Sequence, residues 1–530
     1  MNPQLPRSRF FLYGLIASLT FGDFLQTGLV AFSAAPIMGD ISASPEEYSV
    51  VATLYAVVAI GMIALQRQLV EMLGWRKLVQ VSALLFAAGT AGCGLSHSLA
   101  GFAISRIVMA LGCASFMTAA RLLVNHIPPS PRRFTGIKFL ASGLAWGVAM
   151  GPLLGSFALG SQGWRLGFWV MLVPALVIAL LAQQALDDTP APQRQAKMIP
   201  AQGLAGAVVL MGASFLVLHA LQRTGFDYFS EPLHLGLVAC LAVPAGMLFW
   251  HLNRQAHRPL IGFAALAQRR YLVGMTIFGS AYVVLGANNT MLPVLLQRAL
   301  GMPLESAGRH LGMGALAGVA TFIALARLLP RYPAPTPYYL AGFSALMLCG
   351  WQLGRLGEGA DVMQVVMPAL LCNASFVIAV LATTAMQTFQ TLQHDEAVFS
   401  HANQVKNMLS QFGIAAGVAL ATLVTQWRST VHYVQLGESL SPSSPALQST
   451  LDTLTRFFAS THDPAAAPRL ALVQVAQLLN QEATLMGVLD YFVALRWFAA
   501  GCLVLVVGEM FWRTVLAKRL KATAQEPIQA

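Results

Sequence analysis

The sequence predicts an all-α polytopic membrane protein of fourteen transmembrane helices, and three observations predict it. Of 530 residues, 56% are hydrophobic and only 10% are charged, whereas a soluble chain of this size carries about 25% charged residues. Apolar stretches of roughly 20 residues, enough to cross ~30 Å of hydrocarbon as helix, recur almost from end to end. They are apolar on all faces, without the alternation of a transmembrane barrel. Lipid cannot satisfy a bare backbone, so such segments must be helical.

The predicted spans are 10–38, 48–66, 77–96, 99–124, 135–159, 165–185, 201–221, 232–252, 271–297, 306–329, 336–354, 363–388, 402–427 and 487–512. The first is too long for the apolar core of a signal peptide and lacks a credible cleavage site, so it reads as a true span. With the N-terminus inside, the even-numbered loops and both termini collect most of the basic residues, among them Arg9, Arg76, Lys77, Arg132, Arg133, Lys138, Arg269 and Arg270. The positive-inside rule then puts both termini in the cytoplasm. Residues 186–200, with Pro190 and Pro192, read as a cytoplasmic linker. Residues 428–486 read as a long outer loop, Ser/Pro-rich at 439–449 and helix-patterned at 451–458 and 470–479. A loop of this length is usually functional or disordered. The spacing of Leu451, Leu454 and Phe458 argues against disorder.

The net charge of +11 could suggest nucleic acid. The basic residues are spread over short loops without interleaved aromatics, so no nucleic-acid partner is expected. Cys93, Cys113, Cys240, Cys349, Cys372 and Cys502 all fall in apolar segments without ligand spacing and read as small buried hydrophobes, not a metal site. No Gly-rich loop ends in Lys-Ser/Thr, and the isolated histidines form no triad. An ATP-driven pump and an enzyme are therefore not expected, and neither is a cofactor.

The strongest local pattern lies in the fifth span, where Gly143, Gly147, Gly151 and Gly155 recur every four residues, with Pro152 among them. That spacing places four glycines on one helix face, where a neighbouring backbone can approach closely. Proline adds a local hinge. The fourth span carries Arg106-x-x-Met109-Ala110-x-Gly112, and the loop before the third carries Leu69, Glu71, Gly74, Arg76 and Lys77. Further strings are Asn125-His126-Ile127-Pro128-Pro129, Trp164-Arg165, Asp227-Tyr228-Phe229 and Asn403-x-x-Lys406.

In this order, over nearly the whole chain, these strings resemble the fourteen-helix drug:proton antiporters of the major facilitator superfamily. The long segment before the last span is most similar to that of EmrB-like pump subunits of tripartite efflux systems. The resemblance implies two six-helix bundles of inverted repeats, residues 1–185 and 261–530, with 186–260 supplying a linker and two inserted helices. It implies an antiporter signature at Gly147, Gly151, Pro152 and Gly155, a role for Arg106 in proton coupling, and a cytoplasmic gate at Glu71, Gly74, Arg76 and Lys77. Arg67 stands where the gate motif begins with glycine, and Glu71 where it has aspartate. It also implies a bacterial inner membrane, an EmrA-like periplasmic adaptor and an outer-membrane channel.

A proton-driven exporter needs a group that titrates inside the membrane, where ionisable residues are costly and therefore functional candidates. Asp23, Arg106, Lys406 and Glu509 are such residues. Burial favours the neutral form of a carboxyl group and a nearby cation the charged form, so Asp23 beside Arg106 would make a proton switch. Glu509 reads as interfacial, with Arg513 one turn away. Gln26, Met109, Trp146, Tyr282, Asn288, Asn289, Gln387, Asn403 and Lys406 are candidates for the substrate cavity, methionine and aromatics suiting varied apolar shapes. The expected function is export of small lipophilic compounds, neutral or anionic, in exchange for protons. Uptake or exchange of a metabolite by the same fold, and a non-transporting receptor or assembly subunit, stay open.

Overall fold

The computed structural model describes residues 9–524 apart from 129, 187–199, 229, 358–361, 441–443 and 462. Pro129, Phe229, Pro190 and Pro192 of the sequence patterns lie outside the described residues, as does the side chain of Arg513. Among the described residues the chain is helical almost throughout and contains no strand.

The N-terminal half comprises α1 (Arg9–Phe32), a short α2 (Ala34–Asp40), α3 (Pro45–Leu73), α4 (Trp75–Leu95), α5 (Leu99–Cys113), α6 (Phe116–His126), α7 (Pro131–Ser161) and α8 (Arg165–Ala185). Helices α5 and α6 form a single span, Leu99–His126. Then come α9 (Ala201–Asp227), α10 (Pro232–Gln255) and a one-turn α11 (Phe263–Leu266). The C-terminal half comprises α12 (Arg269–Val294), α13 (Leu304–Leu328), α14 (Thr336–Leu353), α15 (Met367–Phe389), α16 (Glu396–Ser439), α17 (Pro445–Thr461) and α18 (Ala467–Ala524).

Among the described residues thirteen helices are long and apolar enough to cross a membrane. Helix α14 is not among them, although its 18 residues span about 27 Å at 1.5 Å per residue. Tyr338 and Tyr339 at one end and Trp351 and Gln352 at the other make it less apolar, and it packs between α15 and α18.

Two predicted boundaries differ from the structure. The first span ends at Phe32, and residues beyond Ser33 form α2 instead of prolonging it. The segment 428–486 is not a loop: α16 runs on to Ser439 and α18 begins at Ala467, with α17 packed against α18 between them. No proline or glycine lies between Arg428 and Leu436, so nothing in the backbone stops α16 at the edge of the apolar run. Pro445 and Pro468 stand in the first turns of α17 and α18, where a missing N–H costs nothing.

The end carrying Arg9, Pro131, Arg269 and Glu396 is termed inner, the opposite end outer. The alternation of helices is visible in short polar contacts at each end. His126, ending α6, meets Glu396, starting α16, at 3.0 Å at the inner end. Arg165, starting α8, pairs with Asp40, ending α2, at the outer end.

Within the N-terminal half α1 packs on α7 and α8, and α4 on α5 and α8, around Phe86, Phe102, Phe116 and Phe168. In the C-terminal half α12 packs on α16, and α14 on α15 and α18. The halves meet along two seams, α7 with α13 and α3 with α16. Helix α9 lies against both α3 and α16, and α10 against α9, so the two additional helices cover only the second seam.

Candidate functional site

The glycine period of α7 determines where α1 sits. A methyl group at Gly147 would lie 2.8 Å from both Phe21 O and Phe24 Cβ, and one at Gly151 2.8 Å from Gly28 Cα. Only hydrogen allows the two backbones this approach. Thr20 on α1 adds a hydrogen bond across the pair, its Oγ1 donating to Leu140 O at 3.0 Å. The face thus grips α1 on both sides of Asp23.

Asp23 points into a central cavity of about 150 Å³, lined from both halves. Its polar wall holds Thr27, Asn288, Asn289, Asn373, Asn407 and Gln411, and its apolar wall includes Tyr55, Met117, Tyr282 and Leu285. Among the described lining residues Asp23 is the one acid and Lys406 the one base. Cys113 Sγ donates to Asp23 Oδ1 at 3.4 Å. Behind it, Gln26 Nε2 donates to Tyr55 OH at 2.8 Å and to Thr27 Oγ1 at 2.9 Å.

Arg106 does not pair with Asp23, contrary to the sequence-based expectation. It donates to Gln26 Oε1 at 3.2 Å and to Met109 Sδ at 3.2 Å, and its guanidinium lies 4.0 Å over the Tyr55 ring. The reason is helical phase: Gln26 sits almost one turn after Asp23 on α1 and turns inward, only 1% exposed. The cation that shares the cavity with Asp23 is Lys406, which is 4% exposed and lies 5.8 Å from the Phe278 ring and 5.9 Å from the Tyr282 ring.

A second chamber, of about 90 Å³, adjoins the cavity toward the inner end. Tyr282, Met117 and Lys406 line both spaces, and Asn403 and Arg121 line the second.

At both ends of the cavity the two halves make contact. At the outer end Ser156 Oγ donates to Glu305 O at 2.6 Å, Gly308 packs against Phe32 and Ser156, and Gly312 against Leu153. At the inner end Gln404 Nε2 donates to Ile63 O at 2.9 Å and Ala64 O at 3.2 Å. Asn407 Nδ2 donates to Thr118 Oγ1 at 2.6 Å. Arg67 NH1 contacts His401 Nε2 at 3.0 Å; arginine can only donate, so Nε2 accepts and Nδ1 carries its proton toward Gln404 Oε1, 3.2 Å away.

Of the predicted site residues, Asp23, Pro152, Tyr282, Asn288, Asn289 and Lys406 line the central cavity. Gln26 lies behind it, and Asn403 lines the inner chamber, its Nδ2 donating to Thr118 O at 3.4 Å. Three candidates lie elsewhere. Trp146 is 44% exposed on the outer surface of α7, Met109 is fully buried against Gly89, and Gln387 accepts a bond from Arg270 at the inner end of α15. In the gate motif Glu71 meets Arg67 at 3.3 Å and Arg258, beyond α10, at 3.5 Å. The second contact is with the segment that follows the inserted helices. Gly74 takes a positive φ of 78° at the turn from α3 to α4, and Lys77 is exposed.

Sequence reading missed Arg121, Asn373, Gln404 and Asn407. Arg121 falls three residues short of the predicted end of the fourth span, where a charge reads as a boundary residue. For Gln404 and Asn407 the available signal was their clustering with Lys406 on α16, whereas Asn373 stands on α15 without such a cluster.

Residues 16–422 match the Major Facilitator Superfamily. The chain is similar to multidrug export protein EmrB of Escherichia coli (strain K12), 23% identical over 97% of this chain and 97% of that one. It is also similar to colistin resistance protein EmrB of Acinetobacter baumannii, 22% identical over 84% of this chain and 86% of the relative. Among solved structures, a bacterial homologue of the human drug peptide transporters PepT1 and PepT2 is similar with a TM-score of 0.59 at 13% identity, covering 96% of this chain and 100% of that one. At that identity the likeness concerns the fold.

Proposed function

Because the chain belongs to the major facilitator superfamily, we propose that it is a proton-coupled exporter of small lipophilic compounds, seated in a bacterial inner membrane with both termini in the cytoplasm. One observation carries the proposal: Asp23 is the one carboxylate among the described residues lining the cavities, held on the helix that the glycine face of α7 grips. A change in its charge acts on the α1–α7 pair. The same α7 forms the outer closure with α13 through Leu153 and Ser156. Proton occupancy and the outer closure are therefore mechanically linked. Arg106, bound to Gln26 and Tyr55, positions the α1 segment from behind instead of trading charge with Asp23.

Export, as opposed to uptake, is supported by the relatives, which are named for multidrug export and colistin resistance. The helices beyond the outer end support a tripartite arrangement. Phe457, Leu472, Val473 and Leu478 are between 46% and 60% exposed on α17 and α18, and an apolar face outside the membrane calls for a cover. An EmrA-like periplasmic adaptor, joined to an outer-membrane channel, is the proposed cover.

The test is gradient-driven accumulation of lipophilic dyes in everted membrane vesicles. The protein should accumulate dye only while the proton gradient stands, and Asp23→Asn should abolish accumulation at an unchanged membrane level. Accumulation that persists in Asp23→Asn would remove Asp23 from the mechanism.

A further inference from the structure

The inner chamber has a composition that the central cavity does not share. Its charged lining residues are Arg121, Lys138 and Lys406, all cations, and no acid lines it among the described residues. Among the described residues none of the three has a carboxylate within ion-pair distance. Arg121 donates to Ala385 O at 3.1 Å and lies 5.1 Å from the Phe389 ring. Lys138 lies 4.9 Å from the Phe134 ring, and Lys406 meets the Phe278 and Tyr282 rings and shares the wall of the central cavity with Asp23. Ring faces offset part of the cost of removing a cation from water. Arg121 and Lys138 are half-buried without a carboxylate of their own, and an anion would offset their charge.

Apart from Asn403 and Tyr282 the remaining walls are apolar, among them Phe134, Leu140, Leu144, Phe322, Leu325 and Phe389. They come from α7, α13 and α15, so this chamber follows the α7–α13 seam inward from where Gly312 and Leu153 close it. Neither α9 nor α10 packs over that seam, and Phe139, Ile323 and Leu328 beside it are 38–42% exposed, facing what would be lipid. A tail can reach the chamber from the inner leaflet while its head finds cations.

We propose that the inner chamber is a binding site for single-chain amphipathic acids, with the acid head between Arg121, Lys138 and Lys406 and the alkyl or aryl tail along the α7–α13 seam. This names a substrate class for the exporter proposed above and rests on that reading for its physiological meaning. Arg121 supplies the geometry a carboxylate or sulfonate prefers, two parallel N–H donors. Lys406, lying on the wall shared with the central cavity, offers the head its next contact on the way to Asp23.

The test is fluorescence titration of the full chain in phosphatidylcholine nanodiscs with 11-(dansylamino)undecanoic acid and with its methyl ester. The acid should bind saturably. Arg121→Gln and Lys406→Gln should each weaken it at least tenfold while leaving the ester unchanged, and Arg121→Lys should retain affinity within about threefold. Should the glutamine variants fail to fold, displacement from the unmodified protein serves: decanoate should displace the probe and decyltrimethylammonium should not. Equal titration of acid and ester, or displacement by the cation, overturns the proposal. Loss of probe binding when phosphatidylglycerol replaces part of the phosphatidylcholine overturns it in favour of a headgroup site. Binding is read without a gradient, so failure of proton-coupled export leaves this result intact, and charge-blind binding leaves export intact.

Discussion

Along the α7–α13 seam the halves meet through Gly308, Gly312, Leu153 and Ser156; along the α3–α16 seam they meet through Gln404, His401 and Arg67, with α9 laid over the contact. The first contact depends on shape. Gly308 and Gly312 are spaced to accept Phe32 and Leu153, and one added carbon has no room. The second depends on several hydrogen bonds to backbone carbonyls and side chains, each of modest net value and individually replaceable. The outer closure should therefore be abrupt and intolerant of substitution, and the inner one graded. Asp23 lies between them, on a helix clamped by the same α7 that makes the abrupt seam.

The largest effect is expected on the shape-dependent side. Gly151→Leu drives a side chain into the α1 backbone, where even a methyl would stand 2.8 Å from Gly28 Cα. Overpacking of this kind costs about 1–3 kcal/mol, and transport should fall below about a tenth of normal with the protein still in the membrane. Normal flux in that variant would mean that α1 and α7 separate freely and that the clamp is not one.

A middle-sized effect is expected from Gln404→Ala, which leaves the Ile63 and Ala64 carbonyls without their side-chain donor. The loss is about 1–3 kcal/mol, and it should populate inner opening. In a background lacking other reactive cysteines, a reporter at Ser410→Cys should label at least fivefold faster from the inner side. Unchanged labelling would place the inner lock elsewhere on the seam.

The smallest effect is expected from Glu71→Gln. Glu71 is a quarter exposed and its partners Arg67 and Arg258 are 39% and 57% exposed, and such pairs contribute about 0–1 kcal/mol, screened by salt. Labelling of the same reporter should change less than threefold and less still in high salt. A change as large as that of Gln404→Ala would recast the inner lock as ionic.

What the sequence reveals here is depth, and what it hides is azimuth. Apolar length and the glycine period of α7 made the helices and the α7 packing face legible, and Asp23, Lys406, Tyr282, Asn288 and Asn289 stood out as polar groups at cavity depth. Which way a side chain turns is a separate matter. Trp146 directly follows Ala145, which lines the cavity, and the 100° step between neighbours turns it outward. Almost one turn of rise, about 4.5 Å over three residues, places Gln26, not Asp23, against Arg106. The outer helices were half legible: the apolar pattern at 451–458 and 470–479 lies inside α17 and α18, but continuous helix out of the membrane carries no mark in hydropathy. Arg121 was hidden because a charge near a span end looks like an anchor whether or not it faces a chamber.

In the proposed function, export runs on a proton exchanged at Asp23. The most direct measurement is proton movement itself, read with pyranine trapped in proteoliposomes of the purified protein after adding a transported lipophile on one side. A protonophore-sensitive proton counterflow should start with the lipophile and be absent in Asp23→Asn, whose lipophile binding stays measurable. Counterflow of normal size in Asp23→Asn, or lipophile movement by the unmodified protein with no proton movement at all, would contradict it.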